Sequence, residues 1–312
     1  MIVAEYIADQ LNKNSIRYVF GIPGGDSIPY MEAFRCAGVE FILTSNEAAS
    51  GIMADVSARL TGIPGVCHST YGPGAVNLAS GAGGALLDRS PVIVLTSEID
   101  DAMINRTTQM NINHQKLFEP LSKATFRMTS ENAVETIEKA LKLSMEEYPG
   151  PVHIGLPSDL ALKKVKMTHQ IKPSPRDTIT GNDENRLISF LKKTRKPLLA
   201  VGLTSARLNI GNKLLEFLEI HKIPVLLTPM AKGLIPENHP CYAGVLFHAL
   251  SNYLEGVINK ADLVIGLGYD PVEFNYESWM PDVPLIHFNT TKTDMPASVN
   301  CVQYISKSED WF

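Results

Sequence analysis

The sequence predicts an α/β protein with two doubly wound parallel sheets, and three observations carry the prediction. Apolar runs of strand length lack inside-out alternation, and each is followed by a stretch of helical periodicity. The alternation fades near residue 160 and restarts near 183. Strands buried on both faces give such continuous runs, and their parallel neighbours need a helix to cross over. With 312 residues the chain has length for two domains, each able to bury its own core.

Val3, Ile7 and Leu11 form one helical stripe, and Tyr18-Val19-Phe20 follows as a strand ending in the turn Gly21-Ile22-Pro23-Gly24-Gly25. A helix around Ile28 to Cys36 leads to a strand over 39–44. The helix opening at Glu47 leads to the strand Val66 to Thr70, and a small-residue helix after Gly74 leads to Pro91 to Thr96. A helix carrying Val134, Ile137 and Leu141 precedes the strand Pro151 to Leu156. These elements make a first domain over 1–160. Lys163-Lys164-Val165-Lys166, Pro173-Ser174-Pro175 and Thr178 to Gly181 then read as a linker over 161–182. The second, smaller domain, 183–312, alternates helices at Asp183 to Lys193, around Leu214, Leu215 and Leu218, and at Ser251 to Ile258 with strands. Those strands are Pro197 to Gly202, Pro224 to Thr228, Leu263 to Leu267 and Pro284 to Asn289.

Composition narrows the partners. A net charge of -5 with no basic cluster gives no electrostatic reason to expect nucleic acid or an anionic membrane. No apolar run approaches the roughly 20 residues that span a bilayer, and the first residues lack the pattern of a signal peptide, so a cytoplasmic location is expected. Four widely separated cysteines, Cys36, Cys67, Cys241 and Cys301, form no Cys-x-x-Cys, and small buried thiols are expected rather than zinc or disulfides. The eight histidines contain no closely spaced metal-ligand pair, and His68 and His153 sit within strand runs as structural residues. No metal ligands are assigned.

Glu47 stands where a strand gives way to a helix, at the carboxyl end of a strand, where open α/β sheets bind ligands. On its own it reads as a helix-start carboxylate with Asn46 or Ser45 as cap. The turn Tyr71-Gly72-Pro73-Gly74-Ala75-Val76-Asn77 could bring backbone close to a flat or anionic ligand, or be simply a tight strand-to-helix connection. Neither glycine turn matches a dinucleotide fingerprint or a Walker A loop, which disfavours a nicotinamide dehydrogenase.

Read together, five ordered segments resemble the thiamine diphosphate-dependent 2-oxo acid enzymes of the acetolactate synthase and pyruvate oxidase group. They are Val19 to Gly25, Glu47-Ala48-Ala49, Ala58 to Val66, Tyr71 to Leu78 and Pro149 to Asp159. The first half is similar to that family's pyrimidine-binding domain and the second to its central domain. Gly268 to Glu273 followed by Trp279 resembles the flavin-independent acetolactate synthases, so FAD is not expected; Tyr276 and Trp279 read as packing residues. Arg106-Thr107-Thr108-Gln109 with Leu117 to Lys123 also resembles that subgroup, apart from a one-residue insertion.

The resemblance implies a cofactor, thiamine diphosphate, whose pyrimidine ring Glu47 hydrogen-bonds to promote loss of the thiazolium proton. It implies decarboxylation of a 2-oxo acid to an enamine that is then protonated, oxidised or joined to a second carbonyl compound, and the sequence leaves open which of the three follows. Gly24, Gly25, Gly72, Pro73 and Gly74 would contact or wall the pyrimidine, Asn77 would be a polar neighbour, and Gln109 would reach towards the reacting carbon, with Gln115 competing for that role. Asn46, Tyr71 and Thr108 depart from the residues usual in the subgroup, which leaves substrate choice open. The family's third domain, whose Gly-Asp-Gly segment binds magnesium and the diphosphate, has no counterpart here. The chain is therefore expected to be part of a longer enzyme or one subunit of a split decarboxylase, inactive alone, and to form a homodimer. A non-catalytic binding or assembly module that kept the fold is the other reading.

Overall fold

The computed structural model describes residues 1–166, 184–247 and 251–312. The chain divides into two compact units, Met1–Ser174 and Pro175–Phe312. Each is built on its own six-stranded sheet, and every strand pair is parallel, as the sequence predicts. Most of the expected linker lies outside the described residues. Its first residues pack against the amino terminus, where Val3 and Ala4 donate backbone N–H groups to the carbonyls of Lys163 and Ala161 at 2.9 and 3.1 Å.

In the first unit the strands β1 (Tyr18–Ile22), β2 (Glu40–Leu43), β3 (Gly65–Ser69), β4 (Val92–Glu98), β5 (Ala124–Arg127) and β6 (Val152–Pro157) lie in the order β2-β1-β3-β4-β6-β5. Six α-helices accompany them: α1 (Val3–Lys13), α2 (Ile28–Cys36), α3 (Glu47–Thr61), α4 (Pro73–Leu87), α5 (His114–Phe118) and α6 (Ala133–Met145). Successive strand residues supply two separate cores. Val66, Ile93 and Ile154 pack with Ile7, Phe34 and Ile137 of α1, α2 and α6. Cys67 and Val94 pack with Ala54, Leu78 and Phe118 of α3, α4 and α5. Because the chain runs from β1 to β2 on one side and returns to β3 on the other, the switch point falls between β1 and β3.

Small residues let α3 and α4 approach each other closely. A Cβ on Gly51 would stand 2.8 Å from the Cα of Gly81, and one on Gly81 would stand 2.7 Å from the Cα of Gly51. No side chain fits at that crossing. Helix α3 is closed by Gly62 at φ 70°, and α4 opens on Gly72 at φ 69°, ψ -124°, with Pro73 at its first position.

The second unit orders its strands β12-β11-β10-β7-β8-β9, with β7 (Pro197–Val201), β8 (Val225–Leu227), β9 (Tyr242–Val245), β10 (Leu263–Leu267), β11 (Leu285–Asn289) and β12 (Cys301–Ile305). Its helices are α7 (Glu184–Lys193), α8 (Leu203–Arg207), α9 (Gly211–His221) and α10 (Ser251–Ile258). Tyr276 and Trp279 are buried with Tyr269, whose hydroxyl accepts the Trp279 indole N–H at 3.1 Å.

The buried-thiol expectation is corrected in part. Cys67 and Cys241 are buried, but Cys36 is exposed on the last residue of α2 beside Glu32 and Arg35, and Cys301 is half-buried. Among the described residues no helix is long and apolar enough to cross a membrane.

Candidate functional site

The carboxyl ends of β1 and β3 present the two glycine turns side by side, and Glu47 enters from the start of α3 after β2. A Cβ on Gly24 would lie 2.6 Å from Thr70 Oγ1, and one on Gly74 would lie 3.3 Å from Thr70 Cγ2 and 3.1 Å from Glu47 Oε1. Thr70 thus joins both turns. A side chain on Gly74 would enter the space beside the carboxylate, and one on Gly24 would collide with Thr70 and Asp26. Gly25, by contrast, has nothing within 4 Å of where its Cβ would be.

Glu47 is buried, 9% exposed, and its Oε2 accepts the side-chain amide of Asn77 at 3.0 Å. Among the described residues Oε1 has no hydrogen-bond partner. Asn46 is the N-cap, its side chain accepting from the Ala48 amide at 2.8 Å, so Glu47 is relieved of capping its own helix. The unpaired oxygen faces the space left by the missing side chain of Gly74 and is open to a donor there.

The predicted residues do not all converge equally. Gly24 and Gly74 both abut Thr70, and Gly74 and Asn77 abut Glu47, whereas Gly72 faces Met110, whose Cβ would lie 2.7 Å from a Cβ placed on it. Gln109 is exposed, next in sequence to that Met110. Gln115 turns inward and donates to Glu98 Oε1. Pro73 is exposed at the first turn of α4.

A buried polar cluster beside the Gly72 turn has no counterpart in the sequence reading. Thr96 Oγ1 lies 2.9 Å from His114 Nδ1 and 2.9 Å from His153 Nε2; His153 Nδ1 lies 2.6 Å from Thr125 Oγ1. The Gly72 amide donates to His114 Nε2 at 3.3 Å. Glu98, His114 and His153 bring potential ligand atoms within 4.8 Å of one another. A cation would have to displace protein partners, since all four ring nitrogens are engaged and Arg127 pairs with the Glu98 carboxylate. Burial, with the Arg127 charge, pushes His114 down to about 4. Burial also holds His153 well below the ordinary imidazole range and, against Gln115 and Arg127, raises Glu98. His114 and His153 are 39 residues apart, so no local motif could have shown the pair.

The second unit has the same kind of switch point, between β7 and β10, and there it is filled. The Glu273 carboxylate accepts the backbone N–H groups of Leu203 at 2.9 Å and Met230 at 3.1 Å. A Cβ on Gly202 would stand 2.6 Å from the Cα of Tyr269. Burial raises Glu273 to about 6.

Comparison with known proteins bears on the two domains. The family model for the thiamine pyrophosphate enzyme N-terminal TPP binding domain matches residues 1–117, and that for the central domain of the same enzymes matches 185–306. The chain is 30% identical over 308 residues to a probable acetolactate synthase large subunit of Methanocaldococcus jannaschii, covering 95% of this chain and 52% of that protein. It is 31% identical over 273 residues to 2-hydroxyacyl-CoA lyase 1 of Dictyostelium discoideum, covering 85% and 46% respectively. With acetolactate synthase isozyme 1 large subunit of Escherichia coli the identity is 27% over 303 residues, 94% of this chain and 53% of that protein. The chain thus spans about half the length of the relatives it matches. Its two parallel sheets, the glycine turns at the first switch point and the two family matches together show that the chain belongs to the thiamine pyrophosphate enzyme family, over that family's N-terminal and central domains.

Proposed function

We propose that this chain is the pyrimidine-binding and central part of an acetolactate synthase-like enzyme that decarboxylates a 2-oxo acid and passes the acyl group to a second carbonyl compound. The observation that carries the reading is Glu47: a buried carboxylate at a sheet switch point, fixed through one oxygen by Asn77 and open at the other beside the side-chain-free Gly74. That arrangement fits the pyrimidine of thiamine diphosphate, a flat ring with a nitrogen able to share a proton with a carboxyl group. The cofactor, when bound, supplies the nucleophilic carbon; the protein supplies its geometry and electrostatics.

Glu47 Oε1 holds or moves the proton at the pyrimidine nitrogen, and Asn77 keeps the carboxylate in place while it does so. Gly24 and Gly74 leave room for the ring and Gly25 keeps the entrance open. Gly72 and Pro73 set the turn, and Gln109 reaches the substrate side. In this reading the diphosphate and its magnesium belong to a further domain, on a longer form of the protein or on a separate subunit. Glu273 accepts the backbone N–H groups of Leu203 and Met230 at the second unit's switch point, which supports a reading without FAD. The partner is a second copy: Ile52, Val56 and Leu60 follow one another at helical spacing along α3 and are 56, 38 and 81% exposed, an apolar stripe on the helix that carries Glu47. A cytoplasmic setting accords with the free cysteines.

The test is turnover of 2-oxo acids by the protein together with its diphosphate-binding part, compared with Glu47→Gln. A fall of about 10²-fold or more is expected, the usual worth of a positioned acid–base group. Full activity in the variant, or tight binding of thiamine diphosphate and magnesium by the isolated chain, would overturn the reading. A non-catalytic module would show neither turnover nor an effect of the substitution.

A further inference from the structure

The Gly72 amide is one of the free donors at the start of α4, and it is spent on a buried imidazole rather than left for a ligand. That single fact orients everything behind it. An amide can only donate, so His114 Nε2 is the acceptor and carries no proton. A neutral ring then has its proton on Nδ1, which lies 2.9 Å from Thr96 Oγ1. Thr96 is fully buried, and its own hydroxyl proton is satisfied by His153 Nε2 at 2.9 Å. His153 in turn carries its proton on Nδ1 and donates to Thr125 Oγ1 at 2.6 Å, at the half-buried edge strand β5.

We propose that Thr96, His114 and His153 form a one-way hydrogen-bond relay, anchored at Thr125, that positions the Gly72-Pro73-Gly74 turn. Its significance for catalysis rests on the reading that this turn walls the cofactor. Each ring has one environment only. Phe118 stacks on His153 at 4.3 Å between centroids, and the Glu98 carboxylate, 3.9 Å from His114 Nδ1, is beyond hydrogen-bond reach and already paired with Arg127 and Gln115. Both imidazoles are therefore held in the Nδ1–H form, the reverse of the tautomer that free imidazole side chains favour. None of the three is a catalytic residue: they act through the position of Gly72, whose backbone at φ 69° and ψ -124° is open to glycine alone and gains from an outside hold.

Long-range ¹⁵N–¹H correlation spectra of the chain at neutral pH test the relay directly. Both rings are expected to show a protonated Nδ1 and a bare Nε2, and an Nε2–H signal from either ring overturns the proposal. The second reading is hydrogen exchange at the Gly72 amide. Thr96→Val and His114→Phe, two independent ways of cutting the relay with little change of shape, should each speed exchange about tenfold, the factor carried by one hydrogen bond of ordinary net worth. Thr96→Ser, which restores the hydroxyl, should return exchange to the wild-type rate. Wild-type exchange in whichever cut variant folds also overturns the proposal. Neither measurement uses the cofactor, so failure of the relay leaves the Glu47 assignment standing, and failure of cofactor binding leaves the relay standing.

Discussion

Asn77 donates its side-chain amide to Glu47 Oε2 at 3.0 Å and so ties the second turn of α4 to the first residue of α3. The bond leaves the other carboxylate oxygen free for a ligand. Asn77→Ala should cost about 1–3 kcal/mol, because a largely buried carboxyl oxygen would lose its protein partner. Asn77→Asp should cost more, by setting two carboxyl groups against each other. Urea midpoints of the two variants against wild type at neutral pH check this, and equal midpoints would remove Asn77 as the holder of Glu47.

The glycines of the two turns should respond differently to a methyl group. Gly72→Ala meets both a left-handed φ and the Met110 Cβ, and is expected to destabilise by about 2 kcal/mol or more. Gly25→Ala, with open space around it, should change stability by less than about 1 kcal/mol. Thermal unfolding of both variants would reverse this account if their order were the other way round.

Acid should loosen the first unit. Burial pushes both His68 and His114 from 6.5 to about 4. Folded pKa values below the unfolded ones mean stability that is complete above 6.5 and is lost as pH falls through about 4. Each ring accounts for on the order of 3 kcal/mol across that window. His68→Gln should therefore flatten the decline in urea midpoint between pH 7 and pH 4, and an unchanged slope would contradict it.

Glu273 works in the opposite sense. Its pKa is raised from 4.5 to about 6, so its contribution is complete below 4.5 and is lost as pH rises through about 6. The stability difference between wild type and Glu273→Gln should shift against wild type by about 2 kcal/mol between pH 4.5 and pH 7. Denaturant titrations of the pair across that range measure the difference, and a constant gap would show that the carboxyl group does not titrate there.

If α3 meets a second copy, charge on its apolar stripe should separate the two. Ile52→Glu and Leu60→Glu are expected to yield monomers by sedimentation while the Glu47–Asn77 bond is untouched. A wild-type chain that is already monomeric at micromolar concentration would sink the homodimer reading.

Nine strands can be read from the sequence because each holds a mainly apolar stretch. The three that cannot are β5, β9 and β12, and each lies at the edge of its sheet. Their residues are mostly half-buried, so Ala124-Thr125-Phe126-Arg127 and Cys301-Val302-Gln303-Tyr304-Ile305 show no run to detect. The same logic separates the parts of the site. Glu47 and the glycine turns lie in local segments with recognisable spacing, whereas His114 reaches His153 only through the pairing of β4 with β6, and Thr125 joins them only because the unread β5 is there.

The Gly51–Gly81 crossing lies four residues beyond Glu47 on one helix and four residues beyond Asn77 on the other. One helical turn therefore separates the pivot from the bond on both sides. Two residues without side chains act as the bearing of a pair of levers, and a single methyl group at the bearing would be magnified at the tips. The accuracy with which the carboxylate is aimed is machined a turn away from it, where two backbones meet.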